Sequence, residues 1–154
     1  MKYILIFSLI IFAGCGDDSS DSADGCSLRG SLTGEVNKTI DWDDTHGCAA
    51  AVSGTLLTFT FGAFQSDSII IGTTGEPDVL ANAVDGYVMY RDADGAEWNS
   101  RDCLIDLTRN EKGSDGNHIL GGQAKCSTPA TEFGGGATGE INYSPLDFTV
   151  QVPF

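Results

Sequence analysis

Two segments of this chain alternate strictly between apolar and polar residues. In the first, Leu57, Phe59 and Phe61 alternate with threonines, and in the second, residues 147–154, every second residue is Phe or Val. Successive side chains of a strand point to opposite faces, so a period of two predicts a strand with one buried and one solvated face.

Shorter apolar runs predict further strands between these two segments. They lie at residues 68–71, 87–90, 96–98, 104–107 and 118–120. Asp94-Gly95 separates the second and third of these runs, and this dipeptide is a favoured hairpin turn. The polar residues 110–117 and the glycine-rich residues 133–139 predict loops, since consecutive glycines weaken a strand.

These segments together predict an all-β fold. The helical period of apolar residues is missing, and 20 glycines punctuate the short runs. Short strands separated by turns are typical of an antiparallel β-sandwich or a small β-barrel. We expect one such domain over residues 26–154.

The N-terminus has a different pattern, which indicates export. Lys2 is followed by an apolar run over residues 3–13. This run of about 11 residues is short of the roughly 20 that a membrane-spanning helix needs. It is typical of the apolar region of a signal peptide.

The run ends in Phe12-Ala13-Gly14-Cys15. This ending resembles the lipobox of bacterial lipoproteins, with Phe12 where leucine is usual. The resemblance implies that residues 1–14 are removed as a signal peptide and that Cys15 carries the lipid (palmitate among its acyl chains). An ordinary secretory signal, cleaved after Ala13 or Gly14, is the alternative and would leave Cys15 as an unpaired thiol.

Residues 15–25 predict a lipidated cysteine followed by a flexible acidic tether. The sequence GDDSSDSADG after Cys15 contains no residue able to build a core. In lipoproteins of Gram-negative bacteria, aspartate directly after the cysteine favours retention in the inner membrane. Gly16 stands there instead, so the resemblance implies an address in the cell envelope at the outer membrane, with the lipid as the membrane contact.

Five cysteines are consistent with this interpretation, because acylation of Cys15 leaves four. Four cysteines allow three connectivities, and exported proteins form disulfides. We favour Cys26–Cys48 and Cys103–Cys126, in which each bridge links sequence-near strands. A metal site is the poorer interpretation, because no CxxC or HxxH spacing occurs.

The net charge of −14 restricts the partners. Removal of the signal peptide takes away Lys2 and no acid, which leaves 7 basic and 22 acidic residues and a charge of −15. This balance argues against nucleic acid and against anionic headgroups as ligands.

Two acidic clusters are the candidates for a calcium site, although we expect no cofactor. Clustered carboxylates on turns suit a hard cation. Their spacing does not fit the EF-hand loop, and aspartates in turns also cap backbone N–H groups. The residues are Asp41, Asp43 and Asp44 in the first cluster, and Asp92, Asp94 and Glu97 in the second.

Catalytic motifs are missing from the sequence. The two histidines, His46 and His118, lie in polar contexts, and no GxSxG nucleophile elbow occurs. A pair of carboxylates could still perform hydrolysis, since their separation is set by the fold. The sequence thus favours a role other than catalysis.

Four aromatic residues could form a binding platform for a glycan or a protein: Trp42, Tyr87, Tyr90 and Trp98. Large amphipathic rings supply contact area at low entropic cost. The alternation along residues 87–90 puts at most half of the set on the surface, so most of it is expected in the core.

The sequence therefore predicts a lipid-anchored, disulfide-bonded β-domain on the cell envelope. Its expected role is a binding or structural module for an envelope protein or glycan. The alternatives are a secreted hydrolase that uses carboxylates and a calcium-dependent adhesion module.

Overall fold

The alternating segments form strands of an antiparallel β-structure. The computed structural model describes residues 25–63, 65–74, 83–113 and 116–152. Its strands are β1 (Ser27–Gly34), β2 (Lys38–Trp42), β3 (Cys48–Ser53), β4 (Leu56–Phe61), β5 (Ser68–Thr73), β6 (Val84–Arg91), β7 (Glu97–Lys112), β8 (His118–Cys126), β9 (Ala130–Gly134), β10 (Glu140–Tyr143) and β11 (Leu146–Val152). A 3-10 turn, Asp44–His46, lies between β2 and β3.

The strands form one sheet in which neighbours are antiparallel. The order runs β3-β4-β5-β6-β7-β8-β11-β1, and β2 pairs with the opposite edge of β1. At two places in the sheet, a pair of strands shares one edge of a longer neighbour. β8 and β9 lie end to end along one edge of β7, and β11 and β10 lie end to end along one edge of β1. The all-β antiparallel prediction is confirmed.

β7 is longer than the sequence predicted. The runs at 96–98 and 104–107 belong to one strand, which continues to Lys112 through the first half of the polar segment predicted as a loop. The reason is that β8 pairs with β7 from Cys103 to Lys112, beyond Ile105, where the β6 ladder ends. Ladder hydrogen bonds can therefore carry the strand through polar residues.

The Asp94-Gly95 hairpin between β6 and β7 is confirmed. Arg91 pairs with Glu97 at the base of the turn, and Gly95 has a φ of 90°, a conformation that favours glycine. The glycine-rich segment is a loop only in part, because β9 extends through Phe133 to Gly134.

The sheet curls so that its two ends approach each other. Cys26, directly before β1, forms a disulfide with Cys48, the first residue of β3. The ammonium group of Lys38 on β2 forms an ion pair with Asp67, which precedes β5. Across the interior, the ring of Phe59 on β4 lies 5.2 Å from the ring of Phe148 on β11, centroid to centroid.

The core fills the inside of this curled sheet. The alternating side chains of β4 and β11 are buried as the sequence predicted: Leu57, Phe59, Phe61, Phe148, Val150 and Val152. β1 and β2 contribute buried residues that the sequence did not assign to strands: Leu28, Leu32, Ile40 and Trp42. Burial of apolar surface of this kind is the main favourable contribution to folding.

Both predicted disulfides are present. The second, Cys103–Cys126, joins two residues that lie directly opposite each other on β7 and β8. Within the described ranges, no helix is long and apolar enough to cross a membrane. The signal peptide, Cys15 and the tether up to residue 24 lie outside the described residues, and so does Phe154.

Candidate functional site

An open groove with a volume of about 670 Å³ lies where β7 meets β9. We call it the β7–β9 groove. β7, the β8–β9 connection, β9 and the start of β10 supply its lining residues, which are Asn99, Ser100, Arg101, Asp102, Thr128, Pro129, Thr131, Glu132, Phe133 and Glu140. The groove thus combines one exposed aromatic ring with several polar and charged groups.

Phe133 supplies the apolar surface of the groove. The exposed fraction of this residue is 54%. The guanidinium carbon of Arg101 lies over its ring, 5.7 Å from the centroid. A cation over an aromatic face is attracted by the ring quadrupole, at about 0.5–1 kcal/mol for an exposed pair. Arg101 therefore helps to hold an aromatic ring that the core does not bury.

Arg101 and Phe133 reach each other along the β7–β9 pair. Asn99 on β7 is directly opposite Thr131 on β9. Arg101 is two residues beyond Asn99, and Phe133 is two residues beyond Thr131 on a strand that runs the other way, so the two residues lie on opposite sides of the Asn99–Thr131 pair. Their contact is therefore made by the length of the arginine side chain and not by directly opposed positions.

Asn99 places an unsatisfied acceptor in this groove. Its Oδ1 atom is buried, and no group in the described part of the chain donates a hydrogen bond to it. A buried acceptor without a donor costs about 1–3 kcal/mol. This arrangement is unfavourable for the protein.

Hydrogen bonds fix the walls of the groove. The hydroxyl of Ser100 donates to the carbonyl oxygen of Thr128 at 3.0 Å. The hydroxyl of Ser127 donates to Asp102 Oδ2 at 2.5 Å. Both bonds tie β7 to the connection between β8 and β9, so the groove is preformed by the strands that surround it.

The loop after β9 is also tightly packed. Gly135 has a φ of 68°, and a Cβ atom built there would lie 1.6 Å from the carbonyl oxygen of Gly95. The indole Nε1 of Trp98 donates to the carbonyl oxygen of Thr138 at 3.0 Å. Glycine is therefore required at position 135. The chain that leaves Phe133 is held against the β6–β7 hairpin.

Each carboxylate of the first acidic cluster makes a structural contact with another part of the chain. Asp41 pairs with Arg29 (Nε to Oδ1, 3.0 Å), and Asp44 accepts a hydrogen bond from the backbone N–H of Cys26. Asp43 caps the 3-10 turn and accepts from the backbone and the hydroxyl of Thr45 at 3.0 and 2.6 Å. These hydrogen bonds lower the pKa of the Asp43 carboxyl, and the bond from the Thr45 hydroxyl has the largest effect.

The second acidic cluster follows the same pattern. Asp92 Oδ1 accepts from the backbone N–H of Ala96 at 2.8 Å and so stabilises the hairpin turn that contains Asp94. Glu97 pairs with Arg91 (Oε1 to Nε, 3.3 Å). Among the described residues, no group of three or more His, Cys, Asp or Glu side chains is arranged to hold a metal ion.

The histidines lie outside the groove lining. His46 stacks on Trp42 with 6.0 Å between ring centroids, and its Nδ1 is 3.1 Å from Asp43 Oδ1. His118 Nδ1 lies 2.8 Å from Asn110 Oδ1, across the β7–β8 hairpin. Both histidines therefore take part in contacts that hold a turn or a pair of strands.

The predicted aromatic platform is mostly core. Trp42, Tyr90 and Trp98 are buried and Tyr87 is half-buried. Tyr90 and Trp98 stack with 5.8 Å between centroids. Sequence reasoning missed Phe133, which it assigned to a loop. The available signal was a single aromatic residue among polar residues and glycines, with no alternating neighbours to bury it.

Comparison with known proteins gave no match: no protein family, no curated protein and no solved structure is detectably similar to this chain. The function therefore has to be argued from the geometry of the groove.

Proposed function

We propose that the protein is a binding module that the lipid on Cys15 holds at the bacterial cell envelope, in the outer membrane, and that it binds its ligand in the β7–β9 groove. The observation that carries this proposal is the exposed ring of Phe133. Its surroundings are fixed by Arg101, by the strand register and by the packed loop at Gly135. Aromatic side chains contribute much of the contact energy at interfaces.

The preformed groove supports binding for an entropic reason. Association costs less when the contacting side chains are already ordered. Asn99 and Thr131 lie on strands paired on both edges, since β7 lies between β6 and β9, and β9 lies between β7 and β10. Little ordering of the backbone is left for the ligand to induce.

Hydrolysis is a second candidate function, because two carboxylates, Glu132 and Glu140, line the same groove. In glycoside hydrolysis one carboxyl group acts as an acid and the other as a base or nucleophile. A hydrolase would lose turnover and keep binding when Glu132→Gln and Glu140→Gln are combined. A binding module has no turnover for these substitutions to remove.

The proposal is tested in living cells with the full chain. A photo-crosslinking diazirine amino acid is placed at Thr131, an exposed residue of the groove. The matched control carries the same amino acid at Lys125, an exposed residue of β8 that does not line the groove. We expect a discrete crosslinked adduct from position 131 only. Equal adducts from both positions, or none from position 131, would contradict binding in the groove.

A further inference from the structure

We propose that the end of the β3–β4 hairpin contacts the lipid bilayer and inserts end-on to the depth of the headgroups. The inserted part is residues 51–56, which comprise the end of β3, the turn and the start of β4, and we call it the hairpin tip. This inference rests on the lipid anchor of the proposed function, and it concerns a surface other than the β7–β9 groove.

The hairpin tip lies in an uncharged part of a strongly charged chain. Residues 47–66 contain no Asp, Glu, Lys or Arg, although the chain has 8 basic and 22 acidic residues. The neighbouring strand β5 is also uncharged. Moving a charged side chain from water into a bilayer is costly. The hairpin and the strand beside it lack this obstacle to contact with lipid.

The hairpin tip exposes apolar side chains on both of its faces. All six of its residues are exposed, and Val52 and Leu56 have exposed fractions of 46% and 41%. Val52 is directly opposite Leu57, whose side chain is buried inside the curled sheet, so both lie on the inner face. Leu56 is adjacent to Leu57 along β4 and therefore lies on the outer face. The core thus covers the inner face at Leu57 and leaves Val52 uncovered.

Exposure on both faces favours a lipid surface over a protein surface. A second copy of the chain, or another protein, that packed against one face would leave the apolar residue of the other face in water. A fluid that surrounds the hairpin tip covers Val52 and Leu56 together. Burial of apolar surface from water is favourable in either case, but end-on insertion buries more of it.

The hairpin tip is compact and its base is fixed. Gly54 and Thr55 form a two-residue turn, and Gly54 has a φ of 63°, a conformation that favours glycine. A Cβ atom built on Gly54 would meet no heavy atom within 4 Å, so the turn is open to its surroundings. At the base, the N–H of Leu57 donates to Thr73 Oγ1 on β5 at 3.0 Å. Insertion of such an ordered element costs little conformational entropy.

The anchor keeps the hairpin tip close to the bilayer. Cys26 follows Cys15 by 11 residues, and 11 residues span at most about 40 Å. The disulfide joins Cys26 to Cys48, the first residue of β3. From Cys48 to Gly54 the strand covers about 20 Å. The hairpin tip is therefore within reach of the membrane, and tethering raises its effective concentration there, so two apolar side chains are sufficient for contact.

The insertion is shallow for two reasons. The backbone polar groups of the turn need hydrogen-bond partners, which the headgroup region provides and the hydrocarbon core does not. The exposed residue Asp85 is also near, since its carbonyl oxygen accepts from the N–H of Thr74, directly after β5, at 2.8 Å. Insertion to the headgroups only leaves the Asp85 carboxylate in water.

The test uses the full-length protein held by its own lipid in phosphatidylcholine vesicles, whose headgroups carry no net charge. A photo-crosslinking diazirine amino acid replaces Val52, Leu56 or, as the matched control, Leu104, an apolar residue of β7 with an exposed fraction of 51%. The vesicles are floated in a density gradient and irradiated, and the adducts are identified by mass spectrometry. We expect a phospholipid adduct from positions 52 and 56 and only background from position 104.

A second variant tests the role of the uncharged surface. Val52→Asp should remove the phospholipid adduct from position 56, because a carboxylate at the hairpin tip opposes insertion. Leu104→Asp is its control and should leave that adduct unchanged. An adduct at position 56 that survives Val52→Asp would overturn the inference.

The outcomes separate this inference from the proposed lipid anchor. Protein that does not float with the vesicles would overturn the anchor and the inference with it. Protein that floats, but gives no excess of phospholipid adduct from positions 52 and 56 over position 104, would overturn the inference alone. An adduct from only one of positions 52 and 56 would indicate packing on one face, and a crosslink between two copies would indicate that a second copy covers the hairpin tip. Either result would also overturn end-on insertion.

Discussion

Cys26 and Cys48 connect the two ends of the sheet through one disulfide. Cys26 directly precedes β1, next to the terminal strand β2, and Cys48 begins β3, the terminal strand at the other end. Their Cα atoms are 6.2 Å apart. This bridge therefore holds the sheet in its curled form. Cys103–Cys126, in contrast, links two strands that are already hydrogen-bonded to each other.

Removal of the Cys26–Cys48 bridge should loosen the ends of the sheet. We expect the double substitution Cys26→Ala and Cys48→Ala to lower the free energy of unfolding by about 3 kcal/mol, the entropy of closing a loop of this size. Chemical denaturation measures this loss, and amide hydrogen exchange should show faster exchange in β3.

The double alanine variant of Cys103 and Cys126 is the control. It should lose a similar free energy because its sequence separation is 23 against 22, without selective exchange in β3. Unchanged stability and exchange in the first variant would contradict a closing role.

Lipidation of Cys15 remains a prediction from the Phe12-Ala13-Gly14-Cys15 ending. Cells that express the wild type should incorporate a palmitate analogue into the protein, and Cys15→Ser should abolish the label and release the protein from the membrane fraction. Label that persists in Cys15→Ser would show that the lipid is elsewhere.

Tyr143 should make the fold sensitive to alkaline pH. Its phenol is largely buried and its hydroxyl lies 3.4 Å from the carbonyl oxygen of Trp98, and burial raises the pKa of this phenol above its ordinary value of 10.0. The folded state thus favours the neutral form. Its contribution to stability is complete below pH 10.0 and is lost as the pH rises further. Urea unfolding across this range should show a decline that is clearly smaller in Tyr143→Phe. An equal decline in both proteins would contradict this assignment.

Asn99→Leu should stabilise the protein. The substitution removes a buried acceptor without a donor, so the free energy of unfolding should rise by about 1 kcal/mol. Thr131→Val, directly opposite, is the control and should change stability by less than about 0.5 kcal/mol. A clear loss of stability in Asn99→Leu would show that Asn99 Oδ1 is satisfied in solution.

The strands that the sequence predicted are those with a strong difference between their two faces. Along β4, every second side chain from Leu57 to Phe61 is buried, so the pattern alone determines the strand. β3 escaped detection because its sequence, CAAAVS, is dominated by alanines, which have little preference for strands and no contrast between faces.

The site could not be predicted from the sequence, because it depends on pairing between segments that are distant along the chain. Asn99 and Arg101 meet Thr131 and Phe133 only through the register of β7 and β9. The pattern assigned Trp98, which is buried, to a strand and Phe133, which is exposed, to a loop, but it did not indicate that Phe133 would line a groove. The curl of the sheet decides which aromatic residue is exposed to solvent.

The most direct test of binding in the groove compares Phe133→Ala with Leu104→Ala. Both substitutions remove an exposed apolar side chain, with exposed fractions of 54% and 51%, and only Phe133 lines the groove. Full-length proteins in detergent are immobilised on a sensor, and saturation curves are recorded with a solubilised envelope extract. We predict saturable binding that Leu104→Ala retains and Phe133→Ala weakens at least about tenfold. Equal binding by the two variants would contradict the groove as the ligand site.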